Sequence, residues 1–215
     1  MKPLIKICGL STPETVSAAL GAGADMIGFI FFAKSPRNVT VAQAAQLRQA
    51  AIGRAQAVAV TVDAPDGFLE DVVVNIKPDI LQLHGHETPE RVLEVKRRFG
   101  LPVMKAISVR EAADLQQIAA YRGIADRFLL DAKAPQGSAL PGGNGVAFDW
   151  KLLSQLDPGL NYMLSGGLNV GNAAEALSIT HAPGLDVSSG VERAPGVKDV
   201  NLIRGFFAAV KGARP

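Results

Sequence analysis

Tyr162-Met163-Leu164-Ser165-Gly166-Gly167-Leu168 and Gly184-Leu185-Asp186-Val187-Ser188-Ser189-Gly190-Val191-Glu192 are two short apolar runs, each ending in a cluster of small residues. Both read as a strand that runs into a glycine turn. Glycine lets backbone approach a ligand closely, and a turn leading into a helix aims unpaired N–H groups outward, which suits a phosphate dianion. Gly166 and Gly167 in the first turn, and Ser188, Ser189 and Gly190 in the second, are therefore candidate phosphate ligands. In a barrel of eight βα units, phosphate sites commonly use the loops after strands seven and eight. What the two turns mean thus depends on whether six similar units precede them.

Six do. Apolar, strand-like runs occupy 4–8, 26–32, 57–62, 80–83, 102–107 and 127–130, the last ending at Asp131. Between them lie stretches with helical spacing at 41–52, 68–76, 91–99 and 111–121, and Thr12-Pro13 and Thr88-Pro89 give two hydroxyl caps followed by proline at the first helical turn. Further helices are expected from about Asp149, over 170–177 and over 200–210. Apolar strands alternating with helices predict a parallel sheet covered by helices. The fold class is α/β, and the architecture predicted is a single (β/α)8 TIM barrel over residues 1–215, compact for a fold that typically takes about 250 residues. A doubly wound sheet would usually carry its phosphate-binding glycines after the first strand, and Cys8-Gly9-Leu10-Ser11 lacks that G-x-G-x-x-G fingerprint. The glycine-rich connection over 132–145 is longer than most βα loops, a length that suits a mobile, functional lid.

Composition narrows the partners. Hydrophobic residues make up 48% and charged residues 20%, close to soluble globular averages, which argues against a disordered chain. No apolar run approaches the roughly 20 residues needed to cross a bilayer, so no membrane partner is expected. The N-terminus enters a strand pattern directly, without the features of a secretory signal, and the expected location is the cytoplasm. A single cysteine excludes an internal disulfide and a Cys-rich zinc site. A formal charge of +2, with basic residues scattered among acidic ones, offers no tract for nucleic acid. The expected partner is a small phosphorylated molecule. The polar helix faces favour a monomer, with a homodimer as the alternative.

A barrel brings the C-terminal ends of its strands to one face, where active sites lie. Those ends carry Cys8, Asp63, His84, Lys105 and Asp131, with Arg37 in the following loop, besides the two glycine turns. Strand alternation puts Lys6 on the same face as Cys8, where an ammonium would favour the thiolate; the alternative for Cys8 is a small buried hydrophobe. Asp131, against apolar walls, suits a general acid or else caps a loop. Arg37, stiffened by Pro36, could grip a carboxylate or be solvated. Lys105 could form a Schiff base or neutralise a charge. His84-Gly85-His86 has the spacing of two metal ligands, but Gly85 reads more naturally as a turn, and no metal is expected. Asp186 either binds a substrate hydroxyl or anchors the second turn.

The chain resembles the phosphoribosylanthranilate isomerases of tryptophan biosynthesis. The resemblance rests on Lys6-Ile7-Cys8-Gly9-Leu10, Gly28-Phe29-Ile30-Phe31 with Lys34-Ser35-Pro36-Arg37, Leu81-Gln82-Leu83-His84-Gly85, Leu130-Asp131, Gly142-Gly143, Phe148-Asp149-Trp150 and the two opening segments. It implies a (β/α)8 barrel that isomerises N-(5-phosphoribosyl)anthranilate without cofactor or metal. By position it implies Cys8 as general base, Asp131 as general acid, Arg37 at the anthranilate carboxylate and the glycine turns at the phosphate; His84 and Asp186 join Arg37 as candidate substrate-binding residues. That chemistry asks for a Cys8 pKa near or below the ordinary thiol value. Two departures from the family pattern are Asn144, where threonine is usual, and 57–62, where a glycine and a phenylalanine are common.

Overall fold

The computed structural model describes residues 2–134, 137, 138, 140, 142, 143, 145 and 147–213. Eight parallel strands close into a barrel in chain order: β1 (Leu4–Cys8), β2 (Met26–Phe31), β3 (Gln56–Thr61), β4 (Ile80–Leu83), β5 (Val103–Val109), β6 (Arg127–Ala132), β7 (Tyr162–Leu164) and β8 (Gly184–Val187). Closure comes from β1 pairing with β8, Ile5 beside Leu185 and Lys6 beside Asp186.

Strand alternation divides the apolar residues into two cores. Cys8, Met26, Val58, Val60, Ile80, Met104, Ala106, Leu129 and Met163 fill the barrel interior. Their neighbours in sequence, among them Ile7, Ile27, Ala59, Leu81, Val103 and Leu130, pack outward against the helices. Because every strand is buried on both faces, its sequence is almost continuously apolar, as expected of a parallel sheet. The outer layer comprises α1 (Pro13–Ala22), α2 (Val41–Arg48), α3 (Asp66–Ile76), α4 (Pro89–Phe99), α5 (Ile118–Tyr121), α6 (Ala173–Thr180) and α7 (Val200–Gly212). Thr12 and Thr88 cap α1 and α4, their hydroxyls accepting the N–H of Thr15 and Arg91, and Asp199 accepts two N–H groups at the start of α7. α7 buries Ile203, Phe206, Phe207 and Val210, each worth about 1.5–3 kcal/mol of transfer free energy.

The helical layer departs from the sequence expectation in units five to seven. Residues 111–121 are not one α-helix: Ala112–Gln117 is 3-10, and only Ile118–Tyr121 is α. Asp114 reaches back to accept the N–H groups of Arg110 and Glu111, and those bonds accompany the tighter winding. In unit six, the helix expected from Asp149 is the 3-10 segment Trp150–Gln155, which stops just ahead of Pro158. The helix expected over 170–177 begins only at Ala173, because Asn172 accepts from the Asn169 N–H and donates to the Gly167 carbonyl, holding those residues in a turn. A short hairpin, β9 (Glu192–Ala194) with β10 (Val197–Lys198), follows the second glycine turn, where the sequence suggested no strand.

Candidate active site

A cavity opens at the C-terminal ends of the strands. Cys8, Arg37, His84, Asp131, Gly166, Gly167, Asp186, Ser188 and Ser189 all line it, with Gln82 and the apolar Ile30, Val60, Val62 and Leu168. Gly190 is the one phosphate candidate that does not line the cavity; it packs so closely on the Leu168 carbonyl that a Cβ there would overlap it, locking the two glycine turns together. Gly166 and Gly167 both take the left-handed conformation, at φ of 87° and 65°, which glycine adopts without strain.

Cys8 ends β1 with its side chain inside the barrel. The neighbouring strand makes room for it with Gly28, where a Cβ would lie 3.0 Å from Cys8 Sγ and 3.2 Å from Lys6 Cε. Lys6 shares that interior face, as alternation required, and is wholly buried. Burial pushes the Cys8 thiol up from its ordinary value; Lys6 and Lys198 oppose the shift and Asp186 adds to it. This corrects the expectation of a thiol near or below its usual pKa, since desolvation of the thiolate outweighs the nearby ammonium. The Lys6 amine is itself held up: burial works against its charge, but Asp186 and Cys8 more than offset that.

A string of polar contacts crosses the barrel mouth. Lys6 Nζ donates to Asp186 Oδ2 at 3.1 Å and to Gln82 Oε1 at 2.8 Å. Gln82 Nε2 lies 2.9 Å from His84 Nδ1, and His84 Nε2 lies 3.3 Å from Asp131 Oδ2. That last approach is close but not aligned as a hydrogen bond, so among the described residues His84 Nε2 is buried without a partner, as is Asp186 Oδ1. Buried polar atoms left unpaired at a cavity mark places where a ligand can complete the bonding. Asp131 Oδ1 accepts the N–H of Ala132 at 3.0 Å.

Arg37 is neither solvated nor wholly available to a ligand. Its Nε and Nη2 donate to the two carboxylate oxygens of Glu192 at 2.7 and 2.9 Å, and Nη2 also reaches the Gly143 carbonyl at 3.3 Å. Lys198 shares Glu192, donating to Oε1 at 2.7 Å, and also donates to the Ser188 carbonyl and hydroxyl oxygens. Ser188 Oγ donates in turn to the Cys8 carbonyl, so the hairpin, the second glycine turn and β1 are tied together. Burial alone would raise the Glu192 carboxyl, but Arg37 and Lys198 hold it below the ordinary carboxylate range.

Besides Gly190, the sequence candidates Asp63, Lys105 and His86 fall outside the cavity. Lys105 sits on the outward face of β5, in register with Leu83, where it pairs with Glu87 at 2.8 Å and lies over the Tyr121 ring. It is a charge partner, because strand parity turns it away from the barrel interior. His84 and His86 point apart; the His86 side chain is 96% exposed and 3.3 Å from Asp63, itself in the left-handed region at φ 46°. Gly85 between them is pressed against Asp63, so the segment is a tight turn. Within the 132–145 connection, Gly142 stands beside Asp131 and His84, and Gly143 beside Arg37. Asn144 lies outside the described residues.

Gln82, Glu192 and Lys198 belong to the site but are not among the residues that motif and strand-end position pick out. Gln82 could have been found from alternation along Ile80, Gln82 and His84, which shows it facing inward. Lys198 carried no such signal, because it lies on a hairpin beyond the barrel strands.

Fold and cavity define a class: a (β/α)8-barrel enzyme with its active-site cavity at the C-terminal ends of the strands. Known proteins narrow that class. Residues 5–209 match the family model of N-(5'-phosphoribosyl)anthranilate (PRA) isomerase, and the chain belongs to that family. An N-(5'-phosphoribosyl)anthranilate isomerase of Brucella canis is 66% identical over 209 residues, 97% of this chain and 94% of its own length. The phosphoribosyl anthranilate isomerase structure from Thermotoga maritima superposes with a TM-score of 0.88 at 32% identity, covering 98% of this chain and 99% of its own. Another isomerase structure, in complex with reduced 1-(o-carboxyphenylamino)-1-deoxyribulose 5-phosphate, gives a TM-score of 0.85 at 30% identity, covering 98% and 99% of the two chains.

Proposed function

We propose that this cavity converts N-(5'-phosphoribosyl)anthranilate to 1-(2-carboxyphenylamino)-1-deoxyribulose 5-phosphate, an Amadori-type step of tryptophan biosynthesis, with Asp131 as general acid and Cys8 as general base. The observation that carries the assignment is that a buried carboxyl and a buried thiol line one cavity from separate strands, beside two coupled glycine turns. Asp131 gives a proton to the ribose ring oxygen as the C1'–O bond breaks, leaving an iminium. The fraction of Cys8 present as thiolate, kept small by burial and favoured by Lys6 and Lys198, then removes the C2' proton that the iminium has made acidic, giving an enolamine. Proton gain at C1' and loss from the C2' hydroxyl complete the ketone. These steps are proton transfers within one molecule and balance without a metal or redox cofactor.

Phosphate is held by the turns at Gly166-Gly167 and Ser188-Ser189-Gly190. The anthranilate carboxylate lies toward Arg37, whose Nη1 makes no hydrogen bond among the described residues. Asp186 Oδ1 and His84 Nε2, both unpaired among the described residues, meet substrate oxygens or the reacting carboxyl. Holding the substrate at both ends orients the reacting centre between acid and base. Residues 1–215 act as one catalytic domain in the cytoplasm; no helix among the described residues is long and apolar enough to cross a membrane. A monomer is favoured because the large exposed apolar side chains Ile52, Phe68, Val74 and Val197 are few. One relative, from Thermotoga maritima, is described as dimeric, and light scattering decides the state of this chain.

The test is the fluorescence change on adding N-(5'-phosphoribosyl)anthranilate generated in place to wild type, Cys8→Ser and Asp131→Asn. Each variant is expected to lose at least about 100-fold in kcat, the low end for a general acid or base, while still binding a phosphorylated product analogue. Turnover that survives either substitution overturns that residue's assignment.

A further inference from the structure

Gln82 is wholly buried on β4 and takes no part in the proton transfers above, yet its amide can be oriented by chemistry alone. Lys6 Nζ only donates, so the amide atom 2.8 Å from it is the oxygen. The other amide atom, Nε2, therefore faces His84 Nδ1 at 2.9 Å, and an amide NH2 only donates. Nδ1 is then the accepting nitrogen, and the neutral imidazole carries its proton on Nε2, the atom 3.3 Å from Asp131 Oδ2. The donors run in one direction, Lys6 to Gln82 to His84 to Asp131, and the buried Lys6–Asp186 pair anchors the far end.

We propose that Gln82 is a positioning residue that selects the His84 tautomer, so that an N–H rather than a lone pair faces the Asp131 carboxyl. The inference rests on the reading of Asp131 as general acid. As Asp131 gives up its proton, negative charge develops on the carboxylate. A nearby N–H stabilises that charge, whereas a lone pair repels it. His84 Nε2 is not committed to any hydrogen bond among the described residues, so its interaction strengthens as the charge appears and favours the transition state over the ground state. In the opposite tautomer the Gln82 NH2 would also face an N–H, leaving two buried donors opposed.

The tautomer can be observed directly. Long-range proton–nitrogen NMR of the full chain labelled with 15N-histidine distinguishes a protonated ring nitrogen from a bare one. Only three histidines are present, and His86→Gln and His181→Gln, outside the cavity, complete the assignment. The expected wild-type spectrum has His84 protonated at Nε2 and bare at Nδ1. In Gln82→Glu a carboxylate oxygen replaces the amide donor, and the neutral ring is expected to carry its proton on Nδ1 with Nε2 bare; kcat is expected to fall about 10- to 100-fold, the range seen when the partner that orients a metal-bound histidine is lost, with KM changed less than about threefold. A wild-type His84 protonated at Nδ1 overturns the proposal, and that spectrum decides even if the variant fails to fold. So does a Gln82→Glu protein with an unchanged His84 spectrum, or one with the proton moved and kcat intact. Failure of the general-acid reading would show separately, as turnover surviving in Asp131→Asn.

Discussion

Replacing Glu192 with alanine removes the one carboxylate shared by two buried cations. Arg37 donates two hydrogen bonds to it, Lys198 a third and the Gly196 N–H a fourth, and the side chains of all three charged residues are at most 5% exposed. Breaking a buried ion pair by deleting one partner costs about 3–5 kcal/mol, because the other charge stays buried and uncompensated. With two cations stranded, Glu192→Ala is expected near the upper end of that range. At about 2–4 °C per kcal/mol for a chain of this size, a loss of about 5 kcal/mol should lower the melting temperature by about 10–20 °C. Acid provides an independent arm. Arg37 and Lys198 outweigh burial and depress the Glu192 pKa in the folded chain, so between the folded and unfolded values the unfolded chain binds more protons. The stability Glu192 contributes is therefore fully present above the ordinary glutamate value of about 4.3 and is lost as pH falls through the depressed folded value. Urea midpoints of wild type and Glu192→Ala should differ by a constant amount from pH 6 to 8 and converge below about pH 4. A loss under about 1 kcal/mol, the range of exposed pairs, or a gap that widens on acidification would refute the reasoning.

Gly190→Ala forces a Cβ against the Leu168 carbonyl, which is backbone and cannot swing aside; a stability loss of about 1–3 kcal/mol is expected, with about tenfold weaker competitive inhibition by inorganic phosphate, and unchanged inhibition would show that the two turns do not act together. Because burial raises the Cys8 thiol, alkylation by iodoacetamide should keep accelerating with pH beyond the ordinary thiol value of about 8.5. Lys6→Met, which removes the opposing cation, should move that rise further alkaline, and a shift toward acid would contradict the assigned causes. Thr88→Ala deletes the hydroxyl that caps α4 and is expected to cost about 1 kcal/mol in urea unfolding; no measurable loss would mean the cap is replaced by solvent.

Strand existence and barrel closure were readable because they depend on local, repeated chemistry. An apolar run buried on both faces and a capped amphipathic stretch each declare themselves within a dozen residues, and alternation alone puts Lys6 on the same strand face as Cys8. The helices of units five to seven are not legible in periodicity because the competing bonds come from single polar side chains: Asp114 bonding back to Arg110 and Glu111, and the Asn169–Asn172 turn. Pro158 adds an early stop in unit six.

By itself the sequence determined the order of the βα units, the family, and the residue types gathered at the strand ends: thiol, carboxyls, imidazole and glycine turns. Tertiary structure alone decided which of those groups touch. Lys105 and Asp131 both stand near strand ends, yet a parity difference between adjacent strands sends one outward to Glu87 and the other into the cavity. Glu192 and Lys198, separated from Arg37 by more than 150 residues, close on it through a hairpin that no periodicity announced. The Cys8 thiol is raised rather than lowered because desolvation by the whole barrel outweighs the ammonium that a sequence pattern could foresee. Periodicity reports which way a side chain points along its own strand; distance, burial and the balance of charges depend on what the other seven strands bring to meet it.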